Sequence, residues 1–296
     1  MPPLFRCNMP RFNIINPAAG QGLAQKYANE SDDNRYTTAI GDAEKIAREI
    51  CDTVENAEIT VYGGDGTLNE VVNGVIGSKY ASSAVISAYP AGTGNDFLRY
   101  SNENVTVKCD TVKYNNNRHY VNILNIGFDC DVVIKTAEMK KKPFISGSVA
   151  YILSLVLRLF EKFGQDMHIE GIDENGERFT YDGSFTLCLA ANGSYYGGGF
   201  NASPESNVND GVFELVAVKK LSRLKFLSLV GLYKKGKHIQ NNKPIKKFED
   251  CIIYHKCKKA CISGINYFCA DGEIEYLNDE KQVDLEIAPN TFNFKF

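Results

Sequence analysis

The residues in this chain best suited to chemistry lie in the run Gly63-Gly64-Asp65-Gly66-Thr67, followed by Leu68-Asn69-Glu70. Three glycines remove the Cβ atoms that would hold backbone N–H groups away from a ligand. A helix opening directly behind them adds unsatisfied donors and the positive end of its dipole. Such a turn is suited to cradling phosphate. Asp65 alone would repel an anion, so its place in the turn calls for a Mg²⁺ ion between carboxylate and phosphate oxygens. The spacing is neither that of a loop ending in Gly-Lys-Ser/Thr nor the G-x-G-x-x-G of dinucleotide folds.

The elements that must position this turn read clearly on both sides. Ala57 to Tyr62 is a short buried strand, and Leu68, Val71, Val72 and Val75 recur at helical spacing. The same strand-turn texture appears at Arg11 to Asn16, which ends in Asn16-Pro17-Ala18-Ala19-Gly20, and at Ala84 to Tyr89, which ends in Pro90-Ala91-Gly92-Thr93-Gly94-Asn95-Asp96. Thr37 to Asp42 opens another helix, Asp42 to Val54, with Ala43, Ile46, Ala47 and Ile50 on one face. Strand, glycine turn and helix in repetition imply a doubly wound parallel α/β sheet, whose ligands bind at the carboxyl ends of the strands. The turns at 16–20, 63–67 and 92–96 are therefore expected to converge on one cleft.

After Tyr100 strand-like runs alternate with Asn-Asn-Asn, Glu-Asn-Gly and Asn-Asp-Gly turn signals, so a mainly antiparallel β-sandwich follows the α/β domain. Helices are expected near Ser146–Phe163 and Leu221–His238. The domains are placed at 1–118 and 119–288, with the tail at about 289–296 packing back on the first. Two acidic turns stand out in this half, Asn209-Asp210-Gly211 and Asp271-Gly272-Glu273. Either can be a plain reverse turn between strands.

Composition bounds the alternatives. A chain of 296 residues, 44% hydrophobic and 23% charged, is long enough for two cores. Nine cysteines without a C-x-x-C pair, and no signal peptide, suit reduced thiols in a cytoplasmic setting. His255, Cys257, Cys261 and Cys269 match no common zinc spacing and read as buried positions. The net charge of −3 conceals a basic block from Lys219 to Lys259, with thirteen Lys/Arg against two Asp/Glu. That block is either a solvated face or a surface for anionic membrane lipid. Nucleic acid is not among the expected partners.

Gly63-Gly64-Asp65-Gly66-Thr67 resembles the corresponding loop of the diacylglycerol kinase catalytic domain, shared with sphingosine kinases and more distantly with NAD kinases. Asn16-Pro17 with Gly20, the turn Gly92 to Asp96, Gly197-Gly198-Gly199 with Asn209-Asp210-Gly211, and Asp271-Gly272-Glu273 stand in that family's order, so the likeness covers nearly the whole chain. It implies an ATP- and Mg²⁺-dependent lipid kinase with its ATP cleft between the two domains, diacylglycerol being the expected acceptor. Nucleotide is then expected against Asn16, Pro17, Ala18, Ala19, Gly20 and Thr37, against Gly63 through Glu70, and against Thr93, Asn95 and Asp96. Asp65 and Asp96 would act through Mg²⁺. Asp210 would hold a structural Mg²⁺ with the carbonyls of Asn207 and Val212, and Glu273 would be the catalytic base, supported by Asp271. The likeness also implies peripheral association with the membrane that carries the lipid substrate. A homodimer is left open, and so are an NAD kinase-like phosphotransferase and a non-catalytic lipid or nucleotide sensor.

Overall fold

The structure is a computed structural model and describes residues 9–22, 24, 26, 32–91, 95–100, 104–140, 153, 154, 157, 158 and 164–296. Two units are distinguished, Met1–Cys109 with Asn290–Phe296, and Asp110–Pro289. The chain passes to the second unit inside a strand, ahead of the turn at Asn115–Asn117 where the sequence suggests a break. The helix expected near Ser146–Phe163 lies almost wholly outside the described residues.

The first unit is built on parallel strands β1 (Arg11–Ile15), β2 (Asp33–Tyr36), β3 (Glu58–Gly63) and β4 (Val85–Pro90), with helices α1 (Asp42–Thr53) and α2 (Asp65–Ile76). Pairing runs β2-β1-β3-β4, each pair parallel. A further parallel partner comes from the far end of the sequence, where Asn293, Phe294 and Lys295 pair with Val85, Ile86 and Ser87. Phe97 packs on this returning segment, 5.1 Å edge-on to Phe294. The apolar spacing of α1 and α2 is used as read, with Ala43, Ala47 and Ile50 buried on one and Leu68, Val71, Val72 and Val75 on the other. The chain leaves β1 in one direction for β2 and returns on its other side to β3, so the switch point of this doubly wound sheet lies between β1 and β3.

The second unit is antiparallel. Its strands are β5 (Thr106–Tyr114), β6 (Arg118–Tyr120), β7 (Ile123–Gly127), β8 (Gln165–Asp173), β9 (Arg178–Ala191), β10 (Tyr195–Tyr196), β11 (Phe200–Asn201), β12 (Phe213–Lys219), β13 (Ile239–Gln240), β14 (Lys243–Pro244), β15 (Ile252–Ser263), β16 (Tyr267–Ala270), β17 (Glu273–Tyr276) and the first half of β18 (Gln282–Lys295). β9 and β15 are long and change partners midway. Residues 178–185 of β9 pair with β8, whereas 187–191 pair with both β7 and β12. Strands that change sheets in this way make the corners of a sandwich. Tyr120, Phe185, Phe213 and Phe268 fill the interior. Helices α3 (Phe128–Lys140) and α4 (Arg223–Lys234) cover a second apolar cluster that includes Phe128, Phe226 and Leu229. Among the described residues no helix is long and apolar enough to cross a membrane.

Candidate active site

In the first unit, the turns after β1 and β3 flank the switch point and are tied by one side chain. The Asn16 backbone N–H donates to the Tyr62 carbonyl at 2.9 Å, and its Nδ2 donates to Thr67 Oγ1 at 3.1 Å. Its own Oδ1 accepts from the Ala18 N–H at 3.0 Å, closing the Asn16-Pro17-Ala18 turn ahead of the short 3-10 helix Ala19–Gly22. Gly63 is required by packing, since a Cβ there would stand 2.5 Å from Thr67 Cβ. Gly64 caps α2 in an extended conformation, which puts Asp65, Gly66 and Thr67 in its first turn, where N–H groups lack helical partners. Thr37 follows β2 and donates its N–H to the Ile15 carbonyl at 2.9 Å, so it belongs to the same end of the sheet.

Asp65 reaches toward the turn after β4. Its Oδ1 and Oδ2 accept from the Asp96 N–H at 3.0 and 3.2 Å, and Oδ1 lies 3.5 Å from the Phe97 N–H. Burial, and after it the neighbouring Asp96 carboxylate, push the Asp65 carboxyl above its usual range, while these N–H bonds and Arg99 pull it back. Arg99 Nε lies 3.2 Å from Asp96 Oδ1. Asn95 takes a left-handed conformation, φ 48°, that brings Asp96 into this position. Thr93 lies outside the described residues.

The first turn of α2 also holds side chains with other work. Leu68 is buried in the core. Asn69 accepts from Asn73 Nδ2 through its carbonyl at 2.9 Å and its Oδ1 at 3.2 Å. Glu70 turns away from the loop, its carboxylate accepting from the Gly41 N–H at 2.9 Å and the Ala43 N–H at 3.1 Å. It thus satisfies the open donors of α1, a role that competes with nucleotide contact. Asp42, expected where α1 begins, is its first residue. Its Oδ2 accepts from the Thr38 hydroxyl at 2.6 Å and then from the N–H groups of Thr38 and Ala39, and these bonds, the hydroxyl's first, hold the carboxyl down at about 2.

In the second unit, Asp271 and Glu273 are neighbours with opposite surroundings. The buried Asp271 carboxylate accepts three N–H groups in succession, Val121 at 2.7 Å, Asn122 at 3.0 Å and Ile123 at 3.1 Å. Holding them puts Asp271 itself at φ 47°. Glu273 opens β17 two residues later, is exposed, and has no side-chain hydrogen bond or ion pair among the described residues. One acid is structural by its contacts. The other is available.

The Asp210 turn sits in a separate polar cluster of the same unit. Asp210 Oδ2 lies 3.3 Å from Lys256 Nζ, and Oδ1 accepts from the Val212 N–H at 3.3 Å. Lys256 also faces the buried Glu214, Oε1 at 3.8 Å, whose other oxygen accepts from the Ser206 hydroxyl. Burial pushes the Glu214 carboxyl up to about 8. Asp110 accepts from the Gly211 N–H at 2.8 Å. Asn192 donates to the carbonyls of Asp110 and Val121 at 3.0 and 2.7 Å. Gly193 beside it is needed because a Cβ would strike Asn122 Oδ1 at 2.1 Å.

With this geometry in hand, similarity to known proteins is decisive. Residues 11–120 match the diacylglycerol kinase catalytic domain, and residues 122–291 match the YegS C-terminal NAD kinase β-sandwich-like domain. The chain belongs to the diacylglycerol kinase family of lipid kinases. A Bacillus subtilis (strain 168) protein named diacylglycerol kinase is 27% identical over 279 residues, covering 86% of each chain. An Alcanivorax borkumensis protein named "Probable lipid kinase YegS-like" is 31% identical over 195 residues, 61% of each chain, so this chain spans less than two thirds of that relative. The crystal structure of a diacylglycerol kinase from Bacillus anthracis str. Sterne aligns with a TM-score of 0.67 at 20% identity, over 97% of this chain and 96% of that one, a likeness of fold.

Within this lipid-kinase family frame the two expected Mg²⁺ positions differ. Asp65 and Asp96 are carboxylates close enough for one to raise the other's proton affinity, the situation a cation relieves, and one or two carboxylates plus phosphate oxygens are what Mg²⁺ ordinarily takes from a protein. These residues fit. At Asp210, Lys256 Nζ stands 3.3 Å from Oδ2, so a Mg²⁺ held there with the Asn207 and Val212 carbonyls would have to displace that ammonium. Among the described residues no three His, Cys, Asp or Glu gather as a metal-holding group. Of His255, Cys257, Cys261 and Cys269, Cys257 and Cys269 are buried in the core. Lys256, Glu214 and Asp110 went unread in the sequence. A lysine amid the apolar positions of Ile252–Cys257 was the one available signal.

Proposed function

We propose that the protein is an ATP- and Mg²⁺-dependent lipid kinase that transfers the γ-phosphoryl group of ATP to a lipid hydroxyl, with diacylglycerol giving phosphatidic acid as the leading case. The observation that carries this reading is the pair of interlocked turns at the sheet's switch point, Asn16 on Thr67 and Asp65 on Asp96. Phosphoryl transfer passes through a loose transition state, so a protein accelerates it by positioning and by neutralising charge. The N–H groups of Gly63 through Thr67 donate to the phosphate oxygens. Asp65 and Asp96 would hold Mg²⁺, which when bound supplies charge neutralisation on the phosphate oxygens. The acceptor oxygen bonds to the γ-phosphorus as the bond from phosphorus to the β-bridging oxygen breaks. ADP leaves with that electron pair, and the hydroxyl proton passes to Glu273.

The match of residues 122–291 to an NAD kinase-like sandwich keeps NAD among the acceptors to be tested. The test is transfer from γ-labelled ATP to diacylglycerol, monoacylglycerol, phosphatidylglycerol, sphingosine and NAD, with and without Mg²⁺. Label in phosphatidic acid, dependent on Mg²⁺ and lost in Asp65→Asn at a temperature where that variant is still folded, is the expected result. Label in NAD would change the acceptor. No label in any acceptor, from a protein that binds ATP by calorimetry, would replace the kinase by a sensor.

A further inference from the structure

The basic block of the sequence does not form one face. Lys256 is committed to Asp210 and Glu214, and Lys259 lies 2.7 Å from Glu286. What remains distinctive is the shorter run Lys219 to Lys237, with seven Lys/Arg and no Asp or Glu, at whose centre α4 lies. Lys225 is paired with Asp250 at 2.8 Å, while Lys219, Lys220, Lys234, Lys235 and Lys237 are all exposed.

The inner face of α4 is accounted for. Phe226, Leu229 and Tyr233 are buried, and Phe226 meets Phe128 edge-on at 4.9 Å. Its outer face carries Leu224, Leu227, Ser228 and Gly231, residues that the helical repeat places along one line. Leu224 is 82% exposed and Leu227 51% exposed, and they are the two most exposed leucines among the described residues. Gly231 has open space where a Cβ would stand, so packing does not require it. The first turn contains no acid and begins with Arg223, a cation at the positive end of the helix dipole.

We infer that α4 is a docking helix that lies along an anionic lipid bilayer, with Leu224 and Leu227 inserted at the headgroup boundary and the flanking cations on the lipid phosphates. Charge complementarity selects this occupant. A helix of about 18 Å, from twelve residues at ~1.5 Å each, with two leucines in line and cations at both ends, has the pattern of helices that lie in the interface. An acid-free basic run around exposed leucines is what the negative leaflet attracts. The inference rests on the lipid-kinase reading for its choice of a bilayer, but its readout involves no phosphoryl transfer, so the two can fail separately.

The chain has no tryptophan, which makes a direct test available. Leu227→Trp places a single reporter on the outer face. On vesicles of phosphatidylcholine with phosphatidylglycerol its emission should shift to the blue and be quenched by brominated acyl chains, and the shift should reverse with salt. Leu224→Ser/Leu227→Ser should melt like the parent and bind these vesicles more weakly, on the order of tenfold per leucine. Unshifted emission from vesicle-bound protein would place the membrane contact elsewhere and overturn the inference, as would vesicle binding by the double-serine variant equal to the parent's. Absence of binding at every anionic content would also overturn it. If the parent is then a dimer and the double-serine variant a monomer by sedimentation, the face belongs to a second copy of the chain.

Discussion

Two turns of the second unit, Asp210-Gly211 and Asp271-Gly272, share a dipeptide and differ in everything that reaches them. Asp210 meets a lysine side chain 46 residues away, while Asp271 clamps three consecutive N–H groups about 150 residues away. An ammonium compensates one carboxylate as a point charge. Three N–H groups compensate the other with direction as well as charge, and so fix the backbone on both sides of it. The lesson is that an Asp-Gly turn has no role of its own. Its long-range partners decide whether it holds charge, holds shape or presents a neighbour, and only beside Asp271 does a second acid, Glu273, stand free.

The largest effect that would sharpen this contrast is at Glu273. Glu273→Gln should lower phosphoryl transfer by about 10²- to 10⁴-fold while leaving ATP affinity and the melting curve unchanged, because the side chain is exposed and has no partner to lose. Normal turnover would remove its catalytic role. Asp271→Asn should instead act on stability, by about 1–3 kcal/mol, since an amide turns its NH₂ toward one of the clamped donors. A variant of Asp271 that is dead in transfer yet melts like the parent would exchange the two roles.

Lys256→Met probes the other turn. It leaves Asp210 and the buried Glu214 without their cation, and the melting curve should fall by about 1–3 kcal/mol, less than for a fully buried pair because Asp210 is 24% exposed. Lys256→Met/Asp210→Asn should recover part of that loss, since the Asp210 carboxylate left without its cation is then removed. If the double variant is no better than the single one, Lys256 is packing rather than charge.

An effect confined to acid pH separates both turns from acid unfolding in general. His238 is fully buried, with Nε2 3.1 Å from the Ala202 carbonyl, and burial pushes it down to about 4 from an ordinary 6.5. Its neutral form therefore contributes stability above pH 6.5 that is lost as pH falls toward 4. The slope is at most ~1.4 kcal/mol per pH unit. His238→Gln should flatten the melting profile across that window. If the profile is unchanged, the acid sensitivity belongs to carboxylates such as those of the two turns.

Much of the first unit was legible because its signals are local. A buried strand, a glycine run and helical spacing at Leu68, Val71 and Val72 leave little choice of structure. β2 escaped notice because Asp33-Asn34-Arg35-Tyr36 is a polar edge strand, mostly exposed, with no apolar alternation to read. α3 was missed for the opposite reason, since Val132, Val133 and Ile134 stand side by side and show no clean face. At the candidate site the glycine turns and the Asp-Gly-Glu were visible as residues, but their partners were not. Glu70 on α1, Asp65 on Asp96 and Asp110 on Gly211 are contacts that sequence spacing does not encode.

The strand that returns from the end of the sequence has a consequence for biosynthesis. β4 is complete at Pro90, but its neighbour at Asn293 to Lys295 is about two hundred residues further on. At roughly 5–20 residues per second, a ribosome needs about 10–40 s to cover that distance. For this interval the nascent first unit presents β4 as an open edge, and Phe97 has yet to meet the phenylalanines at 292, 294 and 296. The whole second unit emerges meanwhile as one uninterrupted stretch. A slowly translating cell would therefore expose the first unit, rather than the sandwich, to chaperones and to aggregation through that edge.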